Sequence, residues 1–349
     1  MTETVCNLIS NFPNQKVSNS PMSTVNSLLS MPETKPDQKP STESVFATDF
    51  LAALAHRPRS IAPKYFYDHE GSILFDQICE LPEYYPTRTE LGILRDRAVE
   101  IAGQMGPHAE LVEFGAGSLT KVRLLLDAMQ TPSCYVPIDI SGEHLSLAAQ
   151  ALKSDYPALQ VVPVVADYTQ PFTLPAAQAG SGKRVGFFPG STIGNFTPPE
   201  AVEFFRMTAR VLKGGALVVG ADLIKDPGVL HAAYSDAQGV TAAFNLNLLA
   251  RANRELQADF DLAQWAHSAF YNAPLQRIEM HLMSRIRQTV RLRGQPFSFE
   301  EGETLHTENS YKFTIAGLRA LATQAGFIAG PVWTDADQRF SLHWLQAPT

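Results

Sequence analysis

The chain has 349 residues, 45% of them hydrophobic, with 28 Lys and Arg against 35 Asp and Glu for a formal net charge of -7. That is enough chain for one large core and a smaller lobe, and the acidic balance argues against nucleic acid as the main partner, because phosphate binding draws its affinity from lysine and arginine. Cys6, Cys79 and Cys134 have no metal-ligand spacing and no apolar run is long enough to cross a bilayer, so a reduced cytoplasmic monomer with small-molecule ligands, no metal and no membrane partner is expected.

Residues 1–44 are rich in Ser, Thr, Asn and Pro, show no sustained period and contain no arginine, which predicts a disordered tail rather than a transit peptide. The first strand runs from near Leu111 into VEFGAGS (Val112 to Ser118), and Val122, Leu125 and Leu126 then recur at helical spacing. In this strand, glycine turn and helix, Gly115 and Gly117 let the backbone turn tightly and approach a ligand. A dinucleotide-binding dehydrogenase would place its third motif glycine where this chain has Lys121, and a lysine suits a ligand that ends in a carboxylate. YVPIDIS ends a second strand in Asp139, placed to take both hydroxyls of a ribose, and LQVVPVVADY ends a third in Asp167 and Tyr168, a carboxylate for an adenine amino group and a ring for the base. RVGFFPGSTIGN closes a fourth strand with a turn holding Gly190 and Asn195, and VLKGGALVVGAD supplies a fifth. Strands alternating with helices predict an α/β, doubly wound sheet.

Residues 223–314 are too long for a connection and are expected to form an inserted α+β substrate lobe, leaving 45–222 and 315–349 as the sheet domain. Within the insert, VTAAFNLNLLARANREL has helical spacing, RIEMHLM alternates Ile278, Met280 and Leu282 as a strand does, and TENSYKF is extended. LRALATQAGFIAG then gives a helix, followed by two strand-like runs able to pair as a hairpin.

This order of elements resembles the seven-stranded class I fold of S-adenosylmethionine (SAM) dependent methyltransferases. Five blocks in sequence, YFYDHEGSILFDQICELPEYYPTRTE (Tyr65 to Glu90), VEFGAGSLTK, GSTIGNF, YSDAQGVTAAFNLNLL (Tyr234 to Leu249) and TENSYKF, resemble the histidine-specific methyltransferase family from about Val45 to the C-terminus. The resemblance implies trimethylation of the α-amino group of L-histidine to hercynine, the first step towards ergothioneine. It implies SAM at Gly115, Gly117, Lys121, Asp139, Asp167, Tyr168 and Gly190. It puts the substrate carboxylate and amine near Asn195 and Tyr234, with Tyr84 at the amino group and Tyr67 where the amine gains its methyl groups. Tyr67, Tyr84 and Asn195 are thus the expected catalytic set. Glu308 and Ser310 would meet the imidazole, which offers one donor and one acceptor when neutral, and Met280 is expected as an adaptable wall beside the ring.

Each residue also has a plainer reading. Asn195 suits a turn, Tyr84 a core aromatic, Met280 the core, and Glu308, Ser310 and Lys312 one face of a solvated edge strand. His267, His281, His306 and His343 show no metal spacing. Two alternative functions stand beside the first: Nα-methylation of another aromatic amino acid such as tryptophan, for which apolar groups at 308 and 310 are expected, and a non-catalytic SAM-binding regulatory protein.

Overall fold

The computed structural model describes residues 42–349 apart from 118, 178 and 179, so nearly all of the tail expected at 1–44 lies outside the described residues. Parallel strands Cys134–Asp139, Glu110–Phe114, Arg184–Phe188 and Ala216–Asp222 pair in that order. Beside Cys134–Asp139, two short segments, Gln160–Val161 and Val164–Val165, share one edge position. The predicted third strand is interrupted at Pro163, which lacks the N–H that a continuous ladder requires. At the other side Phe340–Gln346 runs antiparallel to Ala216–Asp222 and is followed outward by Ile328–Thr334, the expected hairpin. The result is the predicted doubly wound α/β sheet with seven strand positions.

Alternation along the strands explains why both faces are covered. Leu111, Val185 and Val218 pack with Ile93, Leu94, Val122 and Leu125 of helices Tyr85–Met105 and Thr120–Ala128. Their neighbours Val112, Leu217 and Val219 pack with Phe204, Phe205 and Leu318 of helices Pro198–Val211 and Ile315–Gln324. Strands buried on both faces read as continuous apolar runs, which is why they were visible in the sequence.

The second lobe is a four-stranded sheet in the order Arg59–Ser60, Thr304–Tyr311, Arg277–Ser284, Trp265–Asn272. Its core unites Ile278, Leu282, Trp265 and Leu305 with Phe244 and Leu248 of helix Val240–Leu256, and also with Phe46, Phe50, Phe66 and Ile78. The boundary differs from the one expected: residues 46–85 lie with the 230–305 segment, not with the sheet of 45–222. The cause is aromatic packing across the chain, with the Phe66 and Phe244 rings 4.6 Å apart.

The two sheets meet where the turn Thr192–Asn195 lies against strand Thr304–Tyr311. A Cβ on Gly194 would stand 2.8 Å from the Tyr311 carbonyl oxygen, so only glycine permits this approach. Gly194→Ala is expected to push Asn195 away from the strand and to lower the unfolding temperature, which thermal unfolding of the variant checks.

Candidate active site

A cavity of about 1670 Å³ runs from the ends of the parallel strands to strand Thr304–Tyr311, and every residue expected in the site lines it except Met280. Met280 is 2% exposed and belongs to the apolar core with Ile278 and Leu282, although it stands opposite Glu308 in the antiparallel ladder. Period-two alternation gives a face of a strand but not how far along that face the cavity reaches.

At one end, Gly115 has φ +76°, and the Gly115 and Ala116 N–H groups both donate to the Ile138 carbonyl, which fastens the glycine turn beside Asp139. A Cβ at Gly115 would stand 3.5 Å from the Tyr168 hydroxyl, so the turn and the ring bound one narrow space. Gly117 and Asp139 line the same end, and the Asp139 carboxylate accepts from Ser141 N at 2.8 Å. Asp167 accepts from Thr169 N at 2.9 Å and from Lys64 Nζ at 3.0 Å. Burial works against its charge, but those hydrogen bonds and Lys64 outweigh it and hold the carboxyl below its ordinary value. Tyr168 packs edge-on against Phe114 and Phe188.

Lys121 projects from the first turn of helix Thr120–Ala128 and is paired, its Nζ 2.6 Å from Glu90 Oε2. The same carboxylate accepts the Gly190 N–H at 2.9 Å and is fully buried. Glu90, which holds Lys121 and the Gly190 turn, was not singled out from the sequence. Its signal was present in the sequence: Glu90 sits on the stripe of helix Tyr85–Met105 that continues through Ile93, Leu94 and Ile101, where a carboxylate requires a partner.

At the other end, the side chains of Tyr67, Tyr84, Asn195 and Glu308 reach the cavity with no hydrogen-bond partner among the described residues. Burial pushes the Glu308 carboxyl up to about 7, against the opposing pull of Lys312. Burial likewise drives the Tyr67 and Tyr84 phenols well above their ordinary range. Tyr234 is placed by the SDAQG turn, where Asp236 accepts from Val240 N at 2.9 Å and Thr241 N at 2.8 Å at the start of helix Val240–Leu256.

Tyr234 Oη and Ser310 Oγ lie 2.7 Å apart, and Lys312 Nζ reaches both, at 3.1 and 2.8 Å. The Lys312 ammonium also meets Asp222 Oδ2 at 2.8 Å, and Asp222 in turn takes Lys225 Nζ at 2.5 Å and the Tyr85 hydroxyl at 2.7 Å. Lys312 is 2% exposed, so this segment is not a solvated edge. Desolvation alone would lower the Lys312 pKa, but Asp222 and Tyr234 raise it above its ordinary value. Lys225, by contrast, is pushed down to about 8 by burial, against Asp222.

Glu279, His281 and His306 bring potential metal-ligand atoms within 4.8 Å of one another. Arg277 Nη2 stands 2.6 Å from the same carboxylate, and the two imidazoles stack at 4.6 Å with an interplanar angle of 17°. Stacked rings do not aim their lone pairs at one point and a guanidinium repels a cation, so the cluster does not fit a divalent ion.

A sequence-family model described as "Histidine-specific methyltransferase, SAM-dependent" matches residues 46–347. A histidine N-alpha-methyltransferase of Mycolicibacterium smegmatis is 43% identical over 309 residues, covering 86% of this chain and 95% of its own. One from Mycobacterium tuberculosis is 41% identical over 301 residues, covering 84% and 92%. The ergothioneine biosynthesis protein 1 of Neurospora crassa is 29% identical over 268 residues, 71% of this chain but 30% of that longer protein. The family match over residues 46–347, together with these identities over nearly the whole described chain, means that the protein belongs to the histidine-specific, SAM-dependent methyltransferase family.

Proposed function

We propose that the protein transfers three methyl groups from SAM to the α-amino group of L-histidine, giving hercynine in the first step of ergothioneine formation. The observation that carries this reading is the pairing, in one cavity, of a glycine turn backed by Asp139 with an unpartnered, half-buried carboxylate, Glu308, on the same strand as the Ser310 hydroxyl. The relatives named for histidine N-alpha-methylation and ergothioneine formation support the same substrate and pathway.

The residues at the strand ends fit SAM. Gly115 leaves the space that a Cβ would fill, Asp139 suits the ribose hydroxyls, Asp167 and Tyr168 the adenine, and Lys121 beside Gly117 and Gly190 the methionine carboxylate. When bound, SAM supplies an electrophilic methyl group on a sulfonium. The chain's own residues then have to hold the amine in line with that methyl and keep water out, and positioning of this kind is worth roughly 7–11 kcal/mol in favourable cases. Asn195 binds the amino acid's carboxylate in this reading, the Tyr234 oxygen accepts from its amine, and Tyr84 and Tyr67 border the nitrogen as it grows. With their phenols pushed up by burial, Tyr67 and Tyr84 remain neutral at physiological pH and act as hydrogen-bonding and packing groups rather than proton acceptors. The amine proton leaves through water before each attack. At the far end Glu308 accepts the ring N–H, and Ser310 meets the other ring nitrogen.

Under this reading the protein works as a cytoplasmic monomer on a free amino acid without metal, nucleic acid or membrane. Among the described residues no helix is long and apolar enough to cross a membrane. The test is mass spectrometry of the purified chain incubated with SAM and each of the twenty amino acids. Histidine gaining one, two and three methyl groups is the expected result; methylated tryptophan would overturn the pocket assignment, and SAM binding without any product would favour a regulatory role.

A further inference from the structure

We infer that Lys312 is a positioning residue that fixes the Ser310 hydroxyl as a hydrogen-bond donor into the cavity, so that the site accepts only a ring presenting a bare nitrogen there. The inference rests on the proposed placement of the imidazole at Glu308 and Ser310.

Counting donors leads to it. The Lys312 ammonium has three protons, and the structure gives it three acceptors: Asp222 Oδ2 at 2.8 Å, Ser310 Oγ at 2.8 Å and Tyr234 Oη at 3.1 Å. Its donors are spent, and each hydroxyl oxygen already accepts one of them. The two oxygens are also 2.7 Å apart, so one of their two protons lies between them. The other proton has no acceptor in the network and points to the cavity that both residues line. A phenol is the more acidic hydroxyl and the better donor, so Tyr234 donates to Ser310. Ser310 Oγ then accepts from both Lys312 and Tyr234, its lone pairs are filled, and its own proton is the free one.

A serine in this state cannot accept from a ring N–H. Paired with Glu308, which accepts, it leaves the cavity with one acceptor and one donor for a ring, the complement of a neutral imidazole. A ring without a bare nitrogen would set a C–H or an N–H against the Ser310 proton, and the buried hydroxyl would lose its partner. The Asp222 carboxylate anchors the ammonium and is itself held by Lys225 and Tyr85, so the arrangement does not depend on the substrate being present.

The experiment is a double-mutant cycle on the KM for histidine, with SAM affinity measured in each variant as the control for folding. Ser310→Ala is expected to raise the KM about tenfold, Lys312→Met to raise it by a similar factor, and the double variant to raise it no further than either, because Lys312 acts through Ser310. A roughly hundredfold rise in the double variant, the product expected of independent effects, overturns the inference. An unchanged KM in Ser310→Ala overturns instead the placement of the imidazole on which the inference rests. If Lys312→Met fails to bind SAM, the unaltered protein decides the matter through the two pyrrole analogues of histidine, which keep a ring N–H but lack the bare nitrogen. Binding at least about tenfold weaker than that of histidine supports the donated bond, and equal binding of either analogue overturns it.

Discussion

Glu308→Ala is expected to lower kcat/KM for histidine by about a hundred- to a thousandfold and to leave SAM affinity unchanged, because it removes the acceptor proposed for the ring N–H, away from the glycine turn. Titration calorimetry with SAM and steady-state kinetics with histidine separate the two effects, and equal losses in both would remove Glu308 from the imidazole. The same carboxyl sets a pH dependence. Burial raises it to about 7, with Lys312 pulling the other way, so in the free protein it is partly protonated at neutral pH. Below 7 the neutral acid is a weaker acceptor, and kcat/KM falls along an acidic limb that Glu308→Gln lacks. For stability the direction is opposite. A raised carboxyl favours the fold fully below the ordinary value of 4.5, and that contribution is lost as pH rises through about 7. The substrate-free protein is therefore made less stable by this group on the alkaline side, where substrate binding is strongest.

That opposition, stability set against function at one side chain, is a mark of a site built around a desolvated charge. The proposal of Glu308 as a ligand for a ring rests on the family pattern of TENSYKF, since a charged residue alternating with polar neighbours also describes an edge strand. The structure distinguishes the two by burying Lys312 behind it, and the contact that does so, Lys312 with Asp222, spans 90 residues of sequence between the two lobes.

What a few consecutive residues dictate was largely legible: the glycine turn, Asp139 closing its strand and the terminal hairpin each follow from backbone geometry or a buried run, whereas the third strand, read as continuous up to Asp167, is broken at Pro163 and ends at Val165. The allocation of 46–85 to the second lobe was not legible, because its link to that sheet is a two-residue parallel pairing of Arg59 and Ser60 with Leu305 and His306, too short to leave a periodic signature. Met280 was assigned to the cavity on side-chain type and alternation, and neither specifies depth. The Tyr85, Asp222 and Lys312 group was invisible for the reason that makes it effective: each is a polar residue in an apolar surrounding, and only the tertiary fold brings its partners to it.

Glu90 shows the largest consequence of such a hidden contact. Its carboxylate holds Lys121 on one side and the Gly190 N–H on the other, and so connects the helix that begins just after Tyr84 to the glycine-turn helix and to the turn that carries Asn195. Gly220 makes room for it, since a Cβ there would stand 2.3 Å from Glu90 Oε1. Truncation to alanine leaves a lysine whose side chain is only 14% exposed without its counter-charge and a backbone N–H without its acceptor. Breaking a buried pair in this way costs about 3–5 kcal/mol. Glu90→Ala is therefore expected to lower the unfolding temperature by several degrees and to reduce kcat/KM by at least about a hundredfold, through SAM and histidine alike. Glu90→Gln keeps the acceptor for Gly190 but not the charge for Lys121. It should recover only the part of the stability that the Gly190 hydrogen bond supplies, and it should bind SAM abnormally, because Lys121 is then left without a carboxylate competing with the methionine carboxylate that it is proposed to hold. Thermal unfolding and SAM titration of both variants test the two halves of this argument. A wild-type unfolding temperature in Glu90→Ala would show that the carboxylate is not an anchor, and unaltered SAM binding in Glu90→Gln would show that its charge does not govern Lys121.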